Sequence, residues 1–187
     1  FSTVPPFAYV ANWVANIQAG ETMAEFSAGT GGLAVFAKNA GAKLVLNELS
    51  ARRAAVLREV FPGAQVFQEN AEQIDNILPD DIKPSVVVIN PPFSNSAATG
   101  AKKRTEVGAQ HVEQALERLV PGGRFVGIVG EGMQLDKPTF RDWWAKIRKD
   151  YHVRAVIPVD GSGYAKYGTT FNNALLVIDK VKPPKDA

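Results

Sequence analysis

Residues 22–49, TMAEFSAGTGGLAVFAKNAGAKLVLNEL, decide the fold class. "TMAEFS" reads as a short strand that runs into the glycine-rich "AGTGG". "LAVFAKNAGA" has helical spacing and closes near Gly41, and "KLVLNEL" is a second strand. A strand, a glycine turn, a helix and a strand form the crossover unit of a parallel sheet.

The same alternation continues outward. Downstream, "SARRAAVLREVFPG" is expected to be a helix capped by Ser50 and stopped by Pro62-Gly63. "AQVFQEN" is a third strand, "AEQIDNIL" a short helix and "SVVVIN" a strand that two prolines end abruptly. "TEVGAQHVEQALERLV" and "PTFRDWWAKIRKD" are helices flanking the strand "RFVGIVG". "HVRAVIPV" and "NNALLVIDK" close the chain as adjacent strands around the loop "DGSGYAKYGTTF". Upstream, "PPFAYVANWVANIQAG" is a helix with proline at its entry and Gly20 at its end. The prediction is an α/β, doubly wound, seven-stranded sheet, mostly parallel with one antiparallel strand. No repeat and no second domain are visible, so residues 1–187 are expected to form one domain. The chain opens on Phe rather than Met, which suggests a segment of a longer protein.

Composition narrows the chemistry. Of 187 residues 45% are hydrophobic and 21% charged, with net charge +2, so a polyanionic partner is permitted but not demanded. The absence of cysteine excludes disulfides, thiolate zinc sites, iron–sulfur clusters and cysteine nucleophiles. His111 and His152 have no metal-ligand spacing, so no metal is expected and both read as structural or surface residues. No apolar run reaches the length of a membrane span, and no signal-peptide pattern opens the chain.

Ligands of open α/β sheets bind at the carboxyl ends of the strands. Here those ends offer Glu25 with Gly29, Gly31 and Gly32 in the first turn, and Glu48 after the next strand. A dinucleotide pyrophosphate would be repelled by a carboxylate at Glu25, and the glycine spacing departs from GxGxxG. A cationic ligand suits Glu25 better, such as the amino group and sulfonium of S-adenosylmethionine, with Glu48 on its ribose diol. The bland alternative is a tight strand–helix turn.

At residues 86–93, VVVINPPF, a core strand ends by presenting a carboxamide and a ring on a stiffened turn. "EFSAGTGGLA" followed by "NPPF" resembles the amino-methyltransferase family, specifically its N6-adenine DNA methyltransferases. The opening "FSTVPP" is similar to that family's segment closing over the methionine part of the cofactor, and "GTTFNNALLVI" sits where the family has its substrate-side loop and final hairpin. The resemblance covers nearly the whole chain and implies a class I Rossmann-like fold with S-adenosylmethionine as cofactor. It implies cofactor contacts at Thr3, Glu25, Ser27, Ala28, Gly29, Gly31, Glu48, Leu49, Asn70, Ala71 and Asn90, and a catalytic group of Asn90, Pro91, Pro92 and Phe93. Where the family's third strand ends in aspartate this chain has "QENA", so Asn70 stands for the adenine contact, with Glu69 as the less favoured neighbour. Phe26 replaces a more usual proline.

The chemistry explains those residue types. The exocyclic amine of adenine is conjugated with its ring and is a poor nucleophile. Hydrogen bonds accepted by the Asn90 side-chain oxygen and the Pro91 carbonyl would draw its N–H groups out of the ring plane. Phe93 would stack on the flipped base, roughly 1–3 kcal/mol against the few needed to unstack it. Without cysteine, a C5-cytosine mechanism is excluded.

The expected partner is DNA. Lys102, Lys103 and Arg104, read as part of a polar loop over "SNSAATGAKKR", are candidates for phosphate contacts, and Tyr167 and Phe171 for substrate packing. Trp143 and Trp144 cannot both face the core. A separate target-recognition domain is not expected within residues 1–187, and the opening segment with "NAEQIDNIL" most resembles methylase domains of phage and plasmid strawberry-notch-like proteins fused to helicases. That implies a cytoplasmic location in a bacterium or phage-infected cell. RNA or protein-glutamine N-methylation uses the same amine-holding motif and stays open, as does a methylase fold retained for DNA binding or assembly.

Overall fold

The computed structural model describes residues 3–91, 101–162 and 172–184, and for 101–105 the backbone alone. The elements are α1 (Pro5–Ala15), β1 (Thr22–Glu25), α2 (Ala34–Asn39), β2 (Lys43–Asn47), α3 (Ala51–Val60), β3 (Gln65–Phe67), α4 (Ile74–Ile77), β4 (Val86–Ile89), α5 (Ala101–Arg118), β5 (Arg124–Gly130), α6 (Arg141–Asp150), β6 (His152–Val159) and β7 (Asn173–Asp179). They build one seven-stranded sheet in the order β3-β2-β1-β4-β5-β7-β6. Only β7 runs antiparallel to its neighbours, β5 and β6. This is the doubly wound, mostly parallel architecture expected, with the single antiparallel strand where the sequence places it.

Both faces of the sheet are covered, which is why β4 is an unbroken apolar run rather than an alternating one. Val87 and Ile89 pack with α4, α5 and α6, whereas Val86 and Val88 pack with α1, α2 and α3. Helix α1 approaches its face on Ala8, Ala11 and Ala15, the i, i+3, i+7 stripe of small side chains.

Several boundaries differ from expectation for identifiable reasons. Helix α1 stops at Ala15, before Gly20, because Asn16 takes the left-handed conformation at φ 48° and its N–H closes onto Trp13 O. The Ser50 side chain does not cap α3; the carboxylate of Glu48 accepts the N–H of Ser50 itself at 2.8 Å, just ahead of the helix. Residues 101–104, expected in a polar loop, already belong to α5, so Lys102, Lys103 and Arg104 ride on its first turn. Trp144 is buried and donates from Nε1 to Met133 O at 2.8 Å. Trp143 packs edge-on against both Phe140 and Trp144 and is half-buried, so the two indoles share one aromatic cluster. Among the described residues no helix is long and apolar enough to cross a membrane.

Candidate active site

The strand order reverses at β1, which lies between β2 and β4. A crevice opens outside the carboxyl ends of strands at such a point. The tips of these three strands bring Glu25, Glu48 and Asn90 to one edge of the sheet.

Glu25 is only 2% exposed. Its carboxylate accepts the Ala34 N–H, while Oε2 is buried and has no partner among the described residues. Burial pushes the carboxyl well above the usual carboxylate range; the Ala34 hydrogen bond opposes this and the Glu48 charge adds to it. An ionised carboxylate in such a place is stable only beside a cation.

The glycine turn is shaped by two left-handed residues, Gly29 at φ 56° and Gly31 at φ 85°. At Gly31 a Cβ would lie 2.4 Å from the Phe61 ring, so only glycine lets α3 pack under the turn. At Gly29 an added Cβ would meet nothing within 4 Å, so the turn faces open space. The Gly29 N–H donates to Glu48 Oε2 at 2.9 Å, while Glu48 Oε1 accepts from Ser50 N at 2.8 Å and Arg53 Nη2 at 2.7 Å. Three of roughly four acceptor directions of this carboxylate are thus satisfied within the protein. Leu49, next in the chain, is exposed.

Asn47 is a site-building residue that the strand pattern hides. Its Nδ2 donates to Phe26 O and to Glu69 O, both at 3.0 Å, and its Oδ1 accepts from Glu69 N at 2.9 Å. One buried carboxamide therefore clamps the loop after β1 to the loop after β3. That second loop carries Asn70, whose Oδ1 accepts the Glu72 N–H at 3.0 Å and caps a short 3-10 helix over Ala71–Gln73. Asn70 is exposed, and Ala71 is buried beside it. Ala28 is buried too, its N–H donating to Asn47 O at 2.9 Å.

His111 belongs to the same neighbourhood, which the sequence did not indicate. It is buried on α5 with Nδ1 3.3 Å from Ser27 Oγ, and burial pushes its pKa down to about 4. It is therefore a neutral hydrogen-bonding ring near neutral pH.

Asn90 directly follows β4 and is half-buried, with Pro91 buried behind it. Its Nδ2 donates to Thr3 Oγ1 at 2.8 Å. The Thr3 carbonyl in turn lies over the glycine turn, 3.4 Å from where a Cβ on Gly32 would stand. Pro92, Phe93, Tyr167 and Phe171 lie outside the described residues, as do the side chains of Lys102, Lys103 and Arg104.

Residues 11–147 match the methyltransferase small domain. The chain belongs to that family. Its cofactor is S-adenosylmethionine. The crevice of this methyltransferase domain fits such a ligand: an unpartnered buried carboxylate at Glu25 suits a cation, and the turn at Gly29 opens onto free space.

Solved structures share the fold at low identity. TrmN from Thermus thermophilus superposes with a TM-score of 0.71 at 17% identity, over 97% of this chain and 50% of that one. The M protein of the type I restriction enzyme EcoKI gives 0.77 at 17% identity, over 96% and 44%. A Streptococcus mutans protein described as a methyltransferase, solved in complex with SAH, gives 0.64 at 16% identity, over 97% and 100%. The chain thus spans about half the length of the first two, 50% and 44%. No curated protein matches it in sequence.

Proposed function

We propose that this domain methylates the exocyclic N6 amine of adenine in DNA, with the base turned out of the helix against Asn90, Pro91, Pro92 and Phe93. The observation that carries this reading is the position of Asn90 at the tip of β4, beside the glycine turn of β1, with its NH2 end engaged by Thr3. That engagement turns the carboxamide oxygen away from Thr3, leaving it as the acceptor for a substrate N–H.

The roles of the chain's own groups follow. Glu25 offers its buried, unpartnered oxygen to the positive charge of the cofactor, and Glu48 offers its remaining acceptor direction to a ribose hydroxyl. Asn70 presents its NH2 to the adenine edge of the cofactor. Asn90 Oδ1 and the Pro91 carbonyl accept the two N–H bonds of the target amine, which pulls its lone pair out of conjugation. S-adenosylmethionine, when bound, supplies an electrophilic methyl group. The amine nitrogen would form its new bond to the methyl carbon as that carbon's bond to sulfur breaks, leaving S-adenosylhomocysteine, and the nitrogen would then lose one proton to water, so no strong general base is needed. Lys102, Lys103 and Arg104 on the first turn of α5 supply positive charge for a phosphate backbone.

The test is transfer of labelled methyl to unmethylated DNA, with RNA and protein pools in parallel, followed by nucleoside analysis. N6-methyladenine in DNA is the expected product. Asn90→Ala should lower turnover by on the order of 10²–10³-fold, as loss of a charge-stabilising donor or acceptor does elsewhere, while cofactor affinity stays close to wild type. Label in RNA or in glutamine side chains instead would move the substrate and keep the amine-holding role. Unchanged turnover in Asn90→Ala would remove that role.

A further inference from the structure

We infer that Thr3 is a positioning residue for methyl transfer: its hydroxyl fixes which end of the Asn90 carboxamide faces the substrate. This inference rests on the proposed amine-holding role of Asn90.

A carboxamide has two nearly isosteric ends, one accepting and one donating. An amine donor can be polarised only by the oxygen; rotation by half a turn would set NH2 against N–H, a repulsive pair. Something must therefore distinguish the two orientations before substrate arrives. Among the described residues the partner that touches the Asn90 side chain is Thr3, whose Oγ1 accepts from Nδ2 at 2.8 Å across 87 positions of sequence.

Thr3 is held firmly enough to do this. The next residue, Val4, is 4% exposed and immediately precedes α1, its carbonyl accepting from Phe7 N at 3.1 Å and Ala8 N at 3.0 Å. Helix α1 is pinned to the far side of the glycine turn by Asn12, whose Nδ2 donates to Leu33 O at 3.1 Å. The Thr3 carbonyl rests over Gly32, 3.4 Å from where a Cβ would stand, which is van der Waals contact. The same residue thus reports the position of the cofactor turn through its backbone and sets the catalytic carboxamide through its hydroxyl. Accepting from Asn90 leaves the Thr3 O–H free to donate, so the cofactor contact implied by family resemblance is compatible with this bond.

The experiment compares wild type, Thr3→Val and Thr3→Ser by three readouts. The first is S-adenosylmethionine affinity by calorimetry. The second is the single-turnover rate at saturating cofactor on whichever pool wild type labels. The third is the Asn90 side-chain NH2 resonance in the cofactor-free protein, assigned by its loss in Asn90→Asp. Thr3→Val is expected to lower the rate about tenfold, the effect of one hydrogen bond, with affinity within about twofold of wild type and the NH2 signal displaced. Thr3→Ser should restore both the rate and the signal. Weaker affinity with an unchanged saturated rate would overturn the inference and make Thr3 a cofactor ligand, and unchanged values throughout would overturn it outright. Should wild type label no pool, the amine-holding reading fails by itself, and an Asn90 signal identical in Thr3→Val and wild type then overturns the Thr3 bond as well.

Discussion

Glu25 and Glu48 stand at the tips of adjacent strands and repel each other across the glycine turn, and only Glu48 is neutralised by a partner, Arg53, at 2.7 Å. Glu25 is left buried with one oxygen unpartnered among the described residues. A protein selected for stability alone would have no use for this arrangement. A protein that binds a cationic cofactor does, because the ligand supplies the missing counter-charge.

Replacing Glu25 by Gln should therefore stabilise the cofactor-free domain and weaken the cofactor complex. In the folded protein the Glu25 pKa lies above its ordinary value of 4.5, so the proton is held more tightly folded than unfolded. Its stabilising contribution is full below that ordinary value and is lost as pH climbs towards the raised one. At neutral pH the Gln variant escapes the loss, a gain on the order of 1 kcal/mol or roughly 2–4 °C in Tm for a chain of this size. Thermal unfolding with and without S-adenosylmethionine would measure both effects, and a less stable variant would contradict the account.

The same carboxylate predicts a pH profile for binding. Below its raised pKa, Glu25 must release a proton before it can face a cation, so cofactor affinity should rise with pH and level off once Glu25 is ionised in the free protein. His111, with a pKa near 4, is already neutral over most of that range and adds little to the slope. Calorimetry in buffers of different ionisation heat should show proton release in wild type and much less in Glu25→Gln. A flat profile in wild type would place the cation elsewhere.

Glu48→Ala should behave in the opposite sense on stability. It strips acceptors from Gly29 N, Ser50 N and Arg53, which frees the turn and the entry to α3. The expected cost is about 1–3 kcal/mol, together with weaker cofactor binding. The two acids are then separable: one substitution raises Tm and the other lowers it, while both reduce affinity.

Much of this was legible in the sequence because it is written locally. The glycine turn, the carboxylates at the ends of β1 and β2, and the Asn-Pro-Pro stop after β4 are each fixed by a few consecutive residues, and their order along the chain sets which strand tips meet. What could not be read depends on distant partners. "KLVLNEL" shows Asn47 as one polar residue ending an apolar strand, and nothing local says that its partners are Phe26 and Glu69. His111 reads only as a structural or surface residue on a helix, and nothing local says that α5 docks it against Ser27. The sequence pattern places the end of α1 at Gly20, but Asn16 also adopts the left-handed conformation, and it comes first.

Asn47 gives the most discriminating test of how the site is held together. It is 1% exposed, and its three hydrogen bonds are the polar link between the loop bearing the glycine turn and the loop bearing Asn70. Asn47→Ala leaves the Phe26 carbonyl and both backbone groups of Glu69 to find other partners, at a cost of about 2–4 kcal/mol, or roughly 5–15 °C in Tm. Asn47→Asp keeps the shape but sets a carboxylate oxygen against two carbonyls, so it should be no more stable than the Ala variant at neutral pH. On acidification the Asp variant should recover relative to Ala, because a protonated carboxyl can again donate to one of those carbonyls. If the clamp sets the cofactor site, both variants bind S-adenosylmethionine more weakly even well below their Tm. Wild-type affinity in a destabilised Asn47→Ala would show that the two loops find their places without it.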